Sequence, residues 1–181
     1  MYLTVSDENS LIVACKKKEA WARRQLYERY APAMMGICAR YSDSLSSAED
    51  ILQEGFYRIF TKIDTYKGEG SFEGWMRRVF VNTALEMLRK TRPVISMEMV
   101  EETLFFETFD VSVLDRLTAD EICKYISELP AGYRTVFNLY AVEGYTHEEI
   151  AEMLHIESST SRSQYHHARA LLQKKIKQFY S

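Results

Sequence analysis

Apolar residues recur along the first ninety positions at three- and four-residue intervals, the spacing that gathers them on one side of a helix. Leu11, Ile12 and Cys15 form one such face, and Trp21, Leu26, Tyr27 and Tyr30 form a second. Pro32 is expected to open the segment after it. A long helix is expected through Ile51, Leu52, Gly55, Phe56, Ile59, Phe60 and Ile63, capped by Ser46 or Ser47. Asp64 to Gly70 reads as a loop, because Gly68 and Gly70 permit a sharp turn. Ser71 then starts a helix bearing Phe72, Trp75, Met76, Val79, Phe80, Ala84 and Leu88, which ends in Arg89 and Lys90. Pro93 breaks this pattern. From Thr91 to about Leu117 the chain is acidic and poorly periodic, as a linker is, although Leu104 to Phe109 holds three phenylalanines suited to docking. Periodicity returns near Ala119, and Leu129-Pro130 marks a turn between two helices. The pattern predicts an all-α protein: two small helical domains, 1–92 and 119–181, joined by a flexible linker over 93–118.

The last forty residues carry a more specific pattern. Thr146 followed by Glu149 fits a capping box, in which hydroxyl and carboxylate each satisfy an orphan backbone N–H. Ile150, Ala151 and Leu154 then share one face of a helix about two turns long. His155 to Glu157 reads as a tight turn with Ile156 as its buried plug, and Ser158 or Ser159 can cap the next helix. In that helix Ser161, Tyr165, Ala168 and Leu172 are expected to face inward. Arg162, Ser163, His166 and His167 are left on the opposite side, with Arg169 nearby. This is the layout of a helix-turn-helix, whose second helix enters a DNA groove. The plain alternative is a solvated basic helix whose cations suit the C-terminal end of the macrodipole.

Charge sharpens that reading. The net charge of −3 is unhelpful for a nucleic-acid binder until it is divided along the chain. Residues 1–90 carry 14 basic and 12 acidic side chains, residues 91–119 carry 2 and 6, and the remainder 7 and 8. From Ser158 onward there are five Lys or Arg and no carboxylate side chain, so the second helix can approach phosphates without repulsion. Seven glycines and three prolines in 181 residues favour helices over a sheet-rich fold. Cys15, Cys38 and Cys123 form no paired framework, and the apolar run from Leu11 to Cys15 is too short for a signal peptide or a span. A cytoplasmic protein is expected. No phosphate-cradling loop, nucleophile elbow or metal constellation marks an enzyme, and the adjacent His166 and His167 lack partners at zinc-like spacing.

A second signal lies in the N-terminal half. Asp50, Gln53 and Glu54 fall at i, i+3 and i+4, so their acceptors line one helix face beside Leu52 and Phe56. Such a stripe suits docking onto a basic partner, though a solvated face near a helix start has the same composition. Four stretches, AEDILQEGF, FEGWMRRVFVNTALEMLRK, LPAGYRTVFNLYAVEGYTHEEIAEML and STSRSQYHHAR, together resemble an extracytoplasmic-function (group IV) sigma factor of the sigma-70 family. The resemblance covers nearly the whole chain.

It implies a non-enzymatic subunit that binds core RNA polymerase and directs it to promoters, without cofactor, metal or small-molecule substrate. Asp50, Leu52, Gln53, Glu54 and Phe56 are implied to meet the polymerase clamp. Lys67, Ser71, Phe72, Trp75, Arg77, Arg78, Asn82, Arg89 and Lys90 are implied to read and open the −10 element, where cations hold a melted strand and aromatic or polar pockets take extruded bases. Packing in the core is the plain reading for Phe80 and in part for Trp75. Ser159, Thr160, Arg162, Ser163, Gln164, His166, His167 and Arg169 are implied to read the −35 element. An anti-sigma factor, often membrane-tethered, is an implied partner beside polymerase and promoter DNA. Gly55 stands where the family usually has a larger residue, which is expected to soften the docking helix. Glu86 stands in place of the usual Asp, and His166 and His167 where Arg or an aromatic is common. The rival reading is a stand-alone helix-turn-helix regulator, which has no need of the acidic stripe.

Overall fold

The computed structural model describes residues 7–91 and 118–180, which divide into two compact units at Thr91/Arg92. Residues 93–117 of the segment read as a linker lie outside the described residues, and its last residue, Thr118, is described.

The N-terminal unit is a bundle of α1 (Glu8–Lys16), α2 (Ala20–Arg40), α3 (Leu45–Lys62) and α4 (Phe72–Thr91), with one 3₁₀ turn at Ile63–Thr65. Helix α2 packs against each of the other three. Leu26, Met34 and Ile37 of α2, Ile51 and Ile59 of α3, and Met76 and Phe80 of α4 are almost wholly buried, and the faces read from periodicity supply this core. Two expected boundaries move. Ser44, rather than Ser46 or Ser47, caps α3: its hydroxyl accepts from the Ser47 N–H, 3.2 Å. Pro32 does not open a segment but lies inside α2. It sits on an exposed side of the helix, so the Glu28 carbonyl that loses its N–H partner is on a face where water can replace it.

Gly55 has a packing reason. A Cβ built there lies 2.1 Å from Cε1 of Phe80, so the glycine lets that ring press on the α3 backbone. Phe80 also meets Phe56 edge-on at 5.3 Å. The missing side chain therefore closes the contact between α3 and α4, and the expected softening is offset by that packing.

The C-terminal unit holds α5 (Ala119–Ser127), α6 (Ala131–Phe137), a π-helical segment (Asn138–Val142), α7 (His147–Leu154) and α8 (Ser158–Tyr180). Leu129, Tyr133, Ala168 and Leu172 make its core, flanked by Tyr125, Ile126, Phe137 and Leu171. Arg134 donates to the Ser127 carbonyl at 2.8 Å, which fastens the last carbonyl of α5 to α6 across the Leu129-Pro130 turn. The π-helical segment had no expectation attached. There the Glu143 N–H reaches the Asn138 carbonyl at 2.9 Å, and Gly144, at φ 80°, turns the chain toward α7.

Candidate nucleic-acid interface

The capping box at the start of α7 is complete. The Glu149 N–H donates to the Thr146 hydroxyl at 3.2 Å, and the Thr146 N–H donates to the Glu149 carboxylate at 2.8 Å. His155 ends α7 in the left-handed region at φ 56°, and α8 begins three residues later. The first backbone bond of α8 runs from the Ser161 N–H to the Glu157 carbonyl, so Glu157, rather than Ser158 or Ser159, holds the N-cap position. The Ser158 hydroxyl instead accepts from Arg162 at 3.0 Å, and Ile156, the expected plug, is half-buried.

Five of the eight residues expected to read DNA from α8 are exposed: Ser159, Arg162, Ser163, His166 and Arg169. They recur at three- and four-residue steps and form one stripe. Glu148 of α7 holds the Arg162 guanidinium at 3.1 Å, so this cation is presented from both sides of the turn. Ser161 is buried, as expected, and its hydroxyl lies 2.8 Å from Nδ1 of His147. The His147 ring stacks on Tyr140 at 4.3 Å, and burial, aided by Arg162 and His166, lowers its pKa below the ordinary histidine range. Tyr165 lies in the same aromatic group, 4.5 Å from Tyr140, with Arg169 over its ring at 6.0 Å.

In the N-terminal unit, the loop before α4 is pinned from two sides. Lys16 donates to the Tyr66 carbonyl at 2.9 Å, and the Tyr66 hydroxyl donates to the Gly70 carbonyl at 2.9 Å. Gly68 and Gly70 take φ of 82° and 75°, as the loop required. The Ser71 hydroxyl accepts from the Gly74 N–H at 3.0 Å and so caps α4. Phe72 and Trp75 stack at 5.6 Å, and Tyr66 closes on both. Trp75 keeps a half-exposed edge. Lys67, Ser71, Arg78, Asn82 and Lys90 are exposed, and Arg77 and Arg89 are half-exposed. Aromatic edge, amide and cations thus lie along one loop and the helix it leads into.

Asp50, Gln53 and Glu54 line an open depression of about 580 Å³ between α3 and α4, shared with Tyr57, Arg58, Met87 and Lys90. Arg58 donates to Glu54 and to Glu86 at 2.7 Å each, and these bonds, the one to Glu54 foremost, raise its pKa above the ordinary value. Helix α3 supplies Asp50, Glu54 and Arg58 to the depression, α4 supplies Lys90, and Tyr57, 65% exposed, lines it as well.

Known sequences decide what these surfaces belong to. The sigma-70 region 2 family matches residues 26–94, and the sigma-70 region 4 family matches 119–172. The chain is an extracytoplasmic-function sigma factor of the sigma-70 family. The RNA polymerase sigma-H factor of Pseudomonas aeruginosa is 28% identical to it over 96% of both chains. The ECF RNA polymerase sigma-E factor of Haemophilus influenzae is 28% identical over 93% of this chain and 95% of its own. Two solved structures share the fold. The sigma factor RpoE of Bartonella quintana, in complex with the anti-sigma factor NepR, gives a TM-score of 0.53 at 22% identity over 85% of this chain and 96% of its own. CnrH, in complex with the cytosolic domain of CnrY, gives 0.51 at 19% over 94% and 97%. The protein is therefore a transcription initiation factor acting through regions 2 and 4, not an enzyme. Among the described residues no helix is long and apolar enough to cross a membrane.

The structure of this sigma factor corrects several assigned contacts. Leu52 and Phe56 are 7% and 3% exposed and belong to the bundle core, so they support the acidic stripe from beneath. Phe72, at 1%, is packing beneath Trp75 rather than a base-reading surface, and Phe80 is core as expected. Gln164 is buried against the C-terminal core, Thr160 is half-buried, and His167 stacks on Tyr133 at 5.6 Å. Helical phase explains the last group: Gln164 and His167 lie one turn on from Ser161 and Gln164 respectively, along the edge of the buried face. Sequence reasoning also missed residues. Tyr57, Arg58 and Met87 join the depression, and Tyr66 and Lys16 hold the loop. The i+4 spacing of Glu54 and Arg58 was a legible signal. The Lys16 contact, fifty residues from its partner, was not.

Proposed function

We propose that this sigma factor divides promoter recognition between its two units. Residues 119–181 read the −35 element with the stripe Ser159, Arg162, Ser163, His166 and Arg169 in a major groove. Residues 1–92 dock on core RNA polymerase through Asp50, Gln53 and Glu54. The same unit reads and melts the −10 element with Lys67, Trp75, Arg77, Arg78, Asn82, Arg89 and Lys90, the segment 93–118 joining the two. Ser71 contributes by capping α4, where its hydroxyl is committed.

The observation that carries this reading is the placement of two chemically opposite surfaces on one family framework. One is the acceptor stripe of Asp50, Gln53 and Glu54 along the depression, suited to a basic protein partner, and the other a carboxylate-free helix face suited to phosphates and base edges. A stand-alone regulator accounts for the second surface and leaves the first without use. An anti-sigma factor covering these surfaces, and residence in the cytoplasm where polymerase is found, follow from the same reading.

The test is to mix the purified chain with core RNA polymerase, follow co-elution by size exclusion, and assay open-complex formation on genomic promoter fragments. Co-elution with strand opening is expected. Salt-sensitive DNA binding without co-elution would return the protein to the class of free regulators.

A further inference from the structure

Arg58 stands out in the depression because it serves two helices with one side chain. Its Nε donates to Oε1 of Glu54, one turn earlier on α3, and its Nη1 donates to Oε2 of Glu86 on α4, both at 2.7 Å. The Arg58 side chain is 19% exposed, against 40% and 42% for the two carboxylates. Both bonds are charge-assisted, and a planar guanidinium holds two carboxylates in fixed directions where the three donors of an ammonium rotate freely.

A strut between α3 and α4 needs only the bond to Glu86. The bond to Glu54 does something else: it fixes one oxygen of a carboxylate that lines the depression and leaves Oε2 for an outside donor. Lys90 lines the same depression, so a Glu54 carboxylate without this tether has a second cation to turn toward. A fixed acceptor loses less side-chain freedom when a partner binds, and that preorganisation appears as affinity.

We propose that Arg58 is a positioning residue for polymerase docking, holding the Glu54 carboxylate for a cation of the partner and linking it through Glu86 to α4, the helix assigned to the −10 element. The proposal rests on the reading that the acidic stripe docks on polymerase.

The experiment measures the affinity of the full chain for core RNA polymerase in a thermodynamic cycle of Arg58→Met and Glu54→Gln, with a second cycle pairing Arg58→Met with Glu86→Gln. Methionine keeps the helix propensity and the buried stem. Arg58→Met is expected to weaken binding roughly five- to tenfold in the native background, and by about twofold or less once Glu54→Gln is present, the signature of direct coupling. Equal losses in both Glu54 backgrounds, with coupling to Glu86 alone, make Arg58 a strut and overturn the proposal. If Glu54→Gln by itself leaves the affinity unchanged, the docking reading falls and the proposal with it, a result distinct from the strut outcome. Thermal melting controls for folding. Where Arg58→Met lowers the melting temperature, Arg58→Lys carries the same cycle, because it keeps the charge and loses the fork. A lysine variant that binds polymerase as tightly as the native chain also overturns the proposal.

Discussion

At Gly55 the space left by a missing side chain is filled by the ring of Phe80, which is fully buried and has nowhere to retreat. Gly55→Ala improves intrinsic helix propensity by about 1 kcal/mol, yet overpacking against a buried ring costs about 1–3 kcal/mol. A net loss of stability is expected in the N-terminal unit. Trp21 and Trp75, the two tryptophans of the chain, both lie in that unit, so fluorescence during urea unfolding reports it. An unchanged midpoint would show that Phe80 yields freely. His147 offers a pH handle. Burial lowers its folded pKa below the ordinary value near 6.5, so the unfolded chain binds the proton more readily. Its contribution is fully present above that ordinary value and is lost as pH falls from there toward the lowered folded pKa. His147→Gln is expected to flatten this part of the stability profile of the C-terminal unit, measured by circular dichroism over the acid side of neutrality. An equally steep profile in the variant would assign the titration to another group.

Among the elements, α8 separates two kinds of histidine that look alike in sequence. His166 is exposed on the stripe with Arg162, whereas His167 lies half-buried on Tyr133. Arg162→Ala is expected to lower −35-dependent transcription about tenfold, as losing a good base contact does, with polymerase binding and melting temperature unchanged. His167→Ala is expected to lower the melting temperature of the C-terminal unit instead, with transcription falling as a consequence. Comparing transcription and melting for the two variants checks the assignment, and the reverse pattern would exchange their roles. The order of the helices, the loop at Gly68 and Gly70, the cap at Thr146 and the turn after Leu154 were legible because each rests on neighbours within one or two turns. Pro32 misled because its effect depends on which side of α2 it occupies. That side is set by packing rather than by the residue itself.

For the whole molecule, the two compact units each have their own core, so their contacts with partners can be separated. Asp50→Lys with Glu54→Lys is expected to abolish co-elution with core RNA polymerase while leaving salt-sensitive binding to a −35 duplex intact. Retained co-elution would remove the docking role from the stripe. Loss of both activities would mean that the reversed charges had damaged the fold. The sequence by itself determined the family, the all-helical class, the two-unit division and the two chemically opposed faces. These follow from apolar period, cap chemistry and local charge, which act over a few residues. Tertiary structure alone decided which members of each motif reach the surface. It placed Leu52, Phe56, Phe72 and Gln164 in the cores and joined Glu54, Arg58 and Glu86 across two helices. It also brought Lys16 to the carbonyl of Tyr66. The physical reason is that a helix face is a broad arc in sequence but a sharp boundary in space: whether a residue at its edge is buried depends on the neighbour packed against it, and that neighbour is distant along the chain.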